Sequence, residues 1–302
     1  MGYLVVLTSL LLNGWPKSNW DNCGLVLELL HLRSRQPSHY GFTVVPEYLK
    51  VDGHDLYCYE WDNAGEAVVL LHGGLSKTSS WDYLLVPALE DDFHVFAYDR
   101  TAHGFTADRA GSLHFQYQTR EAIAYLETIV KEPAHLVGYS DGAVIALMVA
   151  IQRPDLVKSI ISIGGNFHHS GVDYEMGEPS VSEEDLAEYT LISPDAPHTL
   201  LEKVTRMFKV WATEPDISKK QLSEIQCPVL VVSGDDDMIS LKHTQELYES
   251  LALGQLAVLP GTSHALVKEK PELFNALMVQ FLEDLSYPVT MIPNRRTAVS
   301  PD

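Results

Sequence analysis

From residue 42 onward the chain alternates short apolar runs with amphipathic stretches, in the rhythm of strands and helices. Residues 47–51 and 55–60 flank Asp52-Gly53, a two-residue hairpin signal. Residues 67–71 (AVVLL) form a continuous apolar run of the kind buried parallel strands show, and they end in His72-Gly73-Gly74. Further strands are predicted at 94–98, 135–138, 157–163, 229–233 and 255–259. Helices are predicted at 81–89, at 115–132 closed by Pro133, at 141–152 stopped near Pro154, and at 271–285 with proline in the first turn. This alternation predicts an α/β fold with a mostly parallel central sheet flanked by helices, preceded by an antiparallel hairpin.

One stretch breaks the rhythm. Residues 166–226 hold no strand-like run, are rich in Glu, Asp and Pro, and show helical pieces at 182–189, 197–212 and 218–224. They predict a helical cap inserted into a core made of residues 42–165 and 227–285. Glu183-Glu184-Asp185 behind Ser182 has the form of a helix N-cap and needs no other role. Residues 286–302, with Pro288, Pro293 and Pro301, predict a loosely ordered tail. Residues 1–41 read as an N-terminal extension with no functional motif, including a short helix at 24–35. Its apolar run at 2–12 is shorter than the roughly 20 residues a bilayer crossing takes, and no basic region precedes it.

Charge narrows the choice of partner. The chain has 41 Asp plus Glu against 21 Lys plus Arg, a formal net charge of −20. No basic surface is available for phosphate backbones, so nucleic acid is excluded as a partner and anionic membranes are disfavoured. A small-molecule substrate is the remaining expectation. The three cysteines, Cys23, Cys58 and Cys227, are too few and too scattered for a disulfide framework. The chain also carries no Asn-x-Ser/Thr acceptor, and both facts point to a reducing cytoplasm.

The chemistry centres on Gly138-Tyr139-Ser140-Asp141-Gly142. GxSxG alone is weak, but here it stands between a buried strand and an apolar helix, the setting of a nucleophile elbow. A serine in such a turn needs a base, and the base needs an orienting carboxylate. His264, in Gly261-Thr262-Ser263-His264 after the last strand, is the candidate base. The acid falls within Gly234-Asp235-Asp236-Asp237, where Asp237 is favoured because a turn after Gly234 would return it over the strand end; Asp235 is the alternative. Backbone N–H groups of Gly74 and Asp141 are the candidate oxyanion donors.

Asp141 admits two readings. Its carboxylate could pair with a substrate ammonium, as in an amino-acid ester, or serve the helix N-terminus. His72 is expected to hydrogen-bond within its loop. His168 and His169 are candidates for the pocket mouth. Neighbouring histidines at a strand end should point apart and chelate one ion badly, so no metal site is expected.

Taken together, HGG after a strand, Asp99-Arg100-x-x-His103-Gly104, the GYSDG elbow, GDDD and GTSH resemble the α/β-hydrolase superfamily over residues 42–285. The elbow and Ile163-Gly164-Gly165-Asn166 resemble the branch of biphenyl hydrolase-like serine esterases. The resemblance implies an α/β-hydrolase fold, no cofactor, and substrate choice by the cap. Thr101-Ala102-His103-Gly104 departs from the Arg-Gly-x-Gly that relatives more often carry. The expected activity is hydrolysis of a small carboxylic ester through an acyl-enzyme. Alternatives are carbon–carbon hydrolysis or lysis on the same triad, or slow-turnover ligand binding. Dehalogenation is disfavoured, since that chemistry wants a carboxylate where Ser140 stands.

Overall fold

The structure is a computed structural model and describes residues 46–175 and 177–294. The predicted extension at 1–41, with its apolar run and helix, lies outside the described residues, as do residues 295–302. Eight strands form one sheet: β1 (Glu47–Val51), β2 (His54–Trp61), β3 (Glu66–Leu71), β4 (Phe93–Asp99), β5 (Ala134–Tyr139), β6 (Val157–Ile163), β7 (Val229–Asp236) and β8 (Gly254–Ser263). Their spatial order is β1-β2-β4-β3-β5-β6-β7-β8. β2 runs antiparallel to both β1 and β4, and every other neighbouring pair is parallel. The hairpin turns where predicted, with φ of 47° at Asp52 and 73° at Gly53, the paired positive values that suit a twisted ribbon.

Among the described residues, six longer helices accompany the sheet: α1 (Phe115–Tyr125), α2 (Asp141–Gln152), α3 (Glu183–Ile192), α4 (Leu200–Trp211), α5 (Leu241–Ser250) and α6 (Pro271–Glu283). α2 is buried nearly all round, with Val144, Ile145 and Leu147 at 0% exposure. Each such side chain stabilises by about 1.5–3 kcal/mol, which fixes the helix that begins at the elbow. α1 continues as a π-helical turn over Leu126–Val130 and ends at Lys131, whose φ is 63°. The helix expected at 81–89 is shorter, with α geometry confined to Asp82–Leu85. Pro87 breaks it, because it has no N–H to continue the ladder and its ring crowds the preceding turn.

Between β6 and β7 the described residues carry α3, α4 and a short helix at Lys219–Ser223. Ser182 and Asp185 form the expected capping box at the start of α3. α4 buries Leu200, Val204, Met207 and Val210, spaced to share one face. Polar contacts join this segment to the loops of the core: Arg206 to Asp108 at 2.7 Å, His114 to Glu214 at 2.6 Å, and Lys77 to Glu188. Residues 286–294 of the predicted tail contain no helix or strand.

His243 on α5 is buried, stacks on Phe167 with ring centroids 4.0 Å apart, and accepts the Phe167 N–H through Nε2 at 3.1 Å. Burial pulls its pKa down to about 4. An unfolded chain protonates this histidine near its ordinary value of about 6.5, so acid favours the unfolded state. Stability from this group is therefore present above pH 6.5 and is lost as pH falls towards 4. We expect the Tm of wild type to drop across that window and the drop to be shallower in His243→Gln, whose amide oxygen can still accept the Phe167 N–H. Equal slopes in parallel thermal scans would contradict this.

Candidate active site

Three chain segments far apart in sequence meet at the carboxyl edge of the sheet. β5 delivers Ser140, the residue between the strand and α2. Its backbone lies at φ 54°, ψ −117°, a strained setting for a residue with a Cβ and one that clusters at functional sites. The Ser140 N–H is held by the Ile163 carbonyl at 2.8 Å. Glycine flanks it because the turn leaves no space. A Cβ on Gly138 would lie 2.3 Å from the Gly142 carbonyl oxygen, and one on Gly142 would lie 1.9 Å from that of Leu71.

His264 follows β8 and brings Nε2 to 3.0 Å from Ser140 Oγ. Its Nδ1 stands 2.7 Å from Asp237 Oδ1. With the Nδ1–H donated to the carboxylate, Nε2 is the acceptor facing the serine hydroxyl. The Asp237 side chain is 0% exposed and accepts the Ile239 N–H at 3.0 Å. Ser233 Oγ donates to its other oxygen at 3.4 Å.

Asp237 reaches this position by a different route from the one expected. The chain does not turn after Gly234; β7 runs on to Asp236, with an irregularity in its pairing to β8 between Gly234 and Asp236. Such a bulge re-aims the side chains beyond it. Asp235 points elsewhere and accepts the Thr262 N–H at 3.0 Å, which lowers its pKa through backbone hydrogen bonds from Gly261 and Thr262. Although exposed, it ties β7 to Thr262 of β8.

Two further residues support the imidazole. Tyr139 donates its hydroxyl proton to the His264 carbonyl at 2.9 Å. Gly164, at φ 56°, lies so close behind the ring that a Cβ there would be 2.8 Å from His264 Cε1. The Gly164-Gly165 doublet after a predicted strand was a readable signal of close approach; nothing marked Tyr139.

The Asp141 carboxylate is 5% exposed and receives the Trp211 indole N–H, with Nε1 at 3.0 and 3.1 Å from its two oxygens. Burial raises its pKa, opposed by the positive charge of Arg100 and by the indole hydrogen bond. Trp211 closes α4, so a residue of the segment between β6 and β7 reaches the neighbour of the serine. No motif pointed to it. Gly74 lies against the same pair: a Cβ there would sit 2.3 Å from Asp141 Oδ2. His72 is fully buried, accepts the Arg100 N–H at Nε2 and contacts the Gly73 carbonyl through Nδ1, as expected of a loop histidine. Burial holds its pKa well below the ordinary histidine value.

His168 and His169 do not point apart. Their rings stand 4.1 Å apart and tilted by 30°, because the extended backbone at His168 gives way to a helical turn at His169. The His168 ring contacts Ser170 at 2.8 Å and Asp216 at 3.6 Å. Among the described residues, Glu60, Asp62 and His94 bring three possible ligand atoms within 4.8 Å of one another, on an edge where both carboxylates are exposed. Exposed acidic groups commonly lie this close without an ion. A cavity lined by Ala150, Pro154, Val157, Lys158, Gln226, Cys227 and Pro228 opens at the starts of β6 and β7, the edge opposite Ser140.

A mostly parallel eight-stranded sheet with a serine at a strained strand-to-helix turn, a histidine after the last strand and an acid after the strand before it defines the α/β-hydrolase class. The model of the alpha/beta hydrolase family matches residues 68–277, and the chain belongs to that family. It is 24% identical to (E)-2-((N-methylformamido)methylene)succinate hydrolase of Acinetobacter baylyi, over 68% of this chain and 86% of that protein. It is 24% identical to human serine hydrolase BPHL, over 63% of this chain and 70% of that one. Among solved structures, the meta-cleavage product hydrolase CumD of Pseudomonas fluorescens superposes with a TM-score of 0.68 at 20% identity, covering 80% of this chain and 98% of that one. Among the described residues, no helix is long and apolar enough to cross a membrane.

Proposed function

We propose that the protein is a serine hydrolase that cleaves a small-molecule carboxylic ester, or a related acyl compound, through an acyl-enzyme. The observation that carries this reading is the line from Ser140 Oγ through His264 to Asp237, at 3.0 and 2.7 Å. Ser140 Oγ attacks the carbonyl carbon while its proton passes to His264 Nε2. Asp237 keeps the imidazole in the receptive tautomer and stabilises the imidazolium. The N–H groups of Gly74 and Asp141 bind the oxyanion. His264 then returns the proton to the leaving alcohol, and water, activated by the same base, releases the acid and restores Ser140.

In this reading residues 166–226 act as the cap that selects the substrate, and no cofactor takes part. The Asp141 carboxylate is assigned to packing against Trp211, because its oxygens already receive the indole hydrogen bond. His168 and His169 are assigned to the segment's own turn. The relatives' printed names, a hydrolase of a formamido succinate and a serine hydrolase, support hydrolysis of an acyl compound but select no acyl group.

The test combines an active-site probe with a panel. A fluorophosphonate should form its adduct on Ser140, located by mass spectrometry, and p-nitrophenyl esters of increasing acyl length should show turnover. A p-nitrophenyl carbamate and a vinylogous 1,5-diketone complete the panel. Absence of the adduct on Ser140 would refute the reading. Turnover of the diketone alone would replace ester hydrolysis with carbon–carbon cleavage, and labelling without any turnover would favour a ligand-binding role.

A further inference from the structure

Arg100, the residue after β4, is 0% exposed. A buried guanidinium is costly unless its charge and its donors are met. Among the described residues the arginine ion pairs are those of Arg153 and Arg206, none reaches Arg100, and its Nε and Nη1 have no partner there. Negative charge at Asp141, Glu121 and Asp99 supports the cation at longer range, against burial that lowers its pKa. Its Nη2 donates to the Gly73 carbonyl oxygen at 2.7 Å and lies 3.3 Å from His72 Nδ1. That oxygen also contacts His72 Nδ1 at 2.8 Å. Since His72 Nε2 accepts the Arg100 N–H at 3.1 Å, a neutral His72 carries its proton on Nδ1 and donates it to the same carbonyl. Two donors therefore converge on one oxygen.

The Gly73 carbonyl and the Gly74 N–H belong to one peptide group. Among the described residues the cis peptide is Glu214-Pro215, so the Gly73-Gly74 unit is trans and its N–H points opposite to its carbonyl. Fixing the oxygen fixes the direction of the hydrogen. This peptide runs beside the nucleophile, since a Cβ on Gly73 would lie 3.4 Å from Ser140 Cβ. It is held from the other side by Asp141 and Trp211, where a Cβ on Gly74 would lie 2.3 Å from Asp141 Oδ2 and 2.5 Å from Trp211 Cζ2.

We propose that Arg100 is a positioning residue for the reaction: with His72 it clamps the Gly73 carbonyl, and so aims and polarises the Gly74 N–H that receives the oxyanion. This rests on the serine-hydrolase reading above. Hydrogen bonds in a chain strengthen one another in a low-dielectric interior, so a donor on the carbonyl makes the N–H across the same peptide a better donor. The benefit is larger for an oxyanion than for a neutral carbonyl, so it appears in kcat and in binding of oxyanion mimics more than in KM.

The experiment compares wild type, Arg100→Met, Arg100→Lys and Ser140→Ala on p-nitrophenyl butyrate, and measures inhibition by an alkyl trifluoromethyl ketone. Ser140 adds to that ketone, its proton passing to His264, and forms a tetrahedral oxyanion in place. Losing a whole oxyanion donor lowers kcat by about 100-fold to 1,000-fold, so loss of its positioning in Arg100→Met should lower kcat and ketone affinity by about 10-fold to 100-fold, with KM nearly unchanged. Arg100→Lys should recover part of both, since an ammonium can still donate to the carbonyl. A folded Arg100→Met with wild-type kcat and ketone affinity overturns the proposal, as does a loss that falls on KM alone. If Arg100→Met does not fold, the decision falls to Arg100→Lys, which lacks the planar fork and should bind the ketone measurably more weakly than wild type; unchanged affinity overturns the proposal there too. Ser140→Ala separates the two levels. If it hydrolyses the ester at the wild-type rate, the underlying reading has failed; if it is inactive while both Arg100 variants match wild type, the role of Arg100 alone has failed.

Discussion

Replacing Ser140 with alanine is expected to lower kcat for any ester the protein accepts by about a million-fold, while leaving the fold intact. The size follows from what the variant loses. The hydroxyl is the attacking atom, so the acyl-enzyme route closes and only oxyanion binding and proximity remain. The fold should tolerate the change because Ser140 Oγ bonds to His264 Nε2, and the backbone of the elbow is fixed by the Ile163 carbonyl and by the glycines on either side. The checks are steady-state kinetics, fluorophosphonate labelling and a thermal scan. A variant that kept its activity would remove Ser140 from the chemistry; one that lost activity and Tm together would leave the loss attributable to misfolding.

The second large effect separates the two candidate acids. Asp237→Asn should lower kcat by about 10,000-fold, because an amide facing Nδ1 no longer holds the imidazole in the tautomer that accepts the serine proton. The Asp237 carboxylate lies 2.7 Å from Nδ1 and is fully buried, whereas the Asp235 carboxylate is exposed and receives the Thr262 N–H. Asp235→Ala should instead leave kcat nearly unchanged and lower Tm, since that side chain receives the Thr262 N–H between β7 and β8. Reversed outcomes for the two variants would exchange their roles.

Much of the fold was legible from the chain because its central strands are buried on both faces and its helices carry sharp stops. Residues 67–71 read as an unbroken apolar run and residues 157–163 as an isoleucine-rich run interrupted by Lys158, Ser159 and Ser162, and both are strands whose apolar side chains are buried. Ser140 and His264 were legible because an elbow and a loop after the last strand are local patterns. Asp237 was legible as a choice among neighbours but not by its geometry. The bulge that aims it depends on how β7 pairs with β8, a contact across the sheet that local spacing does not encode.

The rest of the site depended on long-range packing. Trp211 lies 70 residues from Asp141, and Arg100 lies 27 residues from Gly73; neither distance leaves a trace in periodicity or motif. The rings of His168 and His169 face each other because the backbone changes from extended to helical between them, which an alternating-strand rule cannot anticipate. Pro87 was visible in the sequence, and its effect on the helix at 81–89 follows from an ordinary rule.

The backbone at Ser140 has a consequence for what the position can become. Its left-handed φ of 54° is imposed from outside, by a strand that ends at Tyr139 and a helix that opens at Asp141, with glycines making room on both sides. The turn works as a socket: it holds out whatever side chain occupies 140 towards Nε2 of His264. A cysteine there would inherit the aim together with the strain, and a glycine would relax the strain but present nothing. The architecture thus separates where the attacking atom stands from which element it is, leaving the nucleophile exchangeable and its neighbours not.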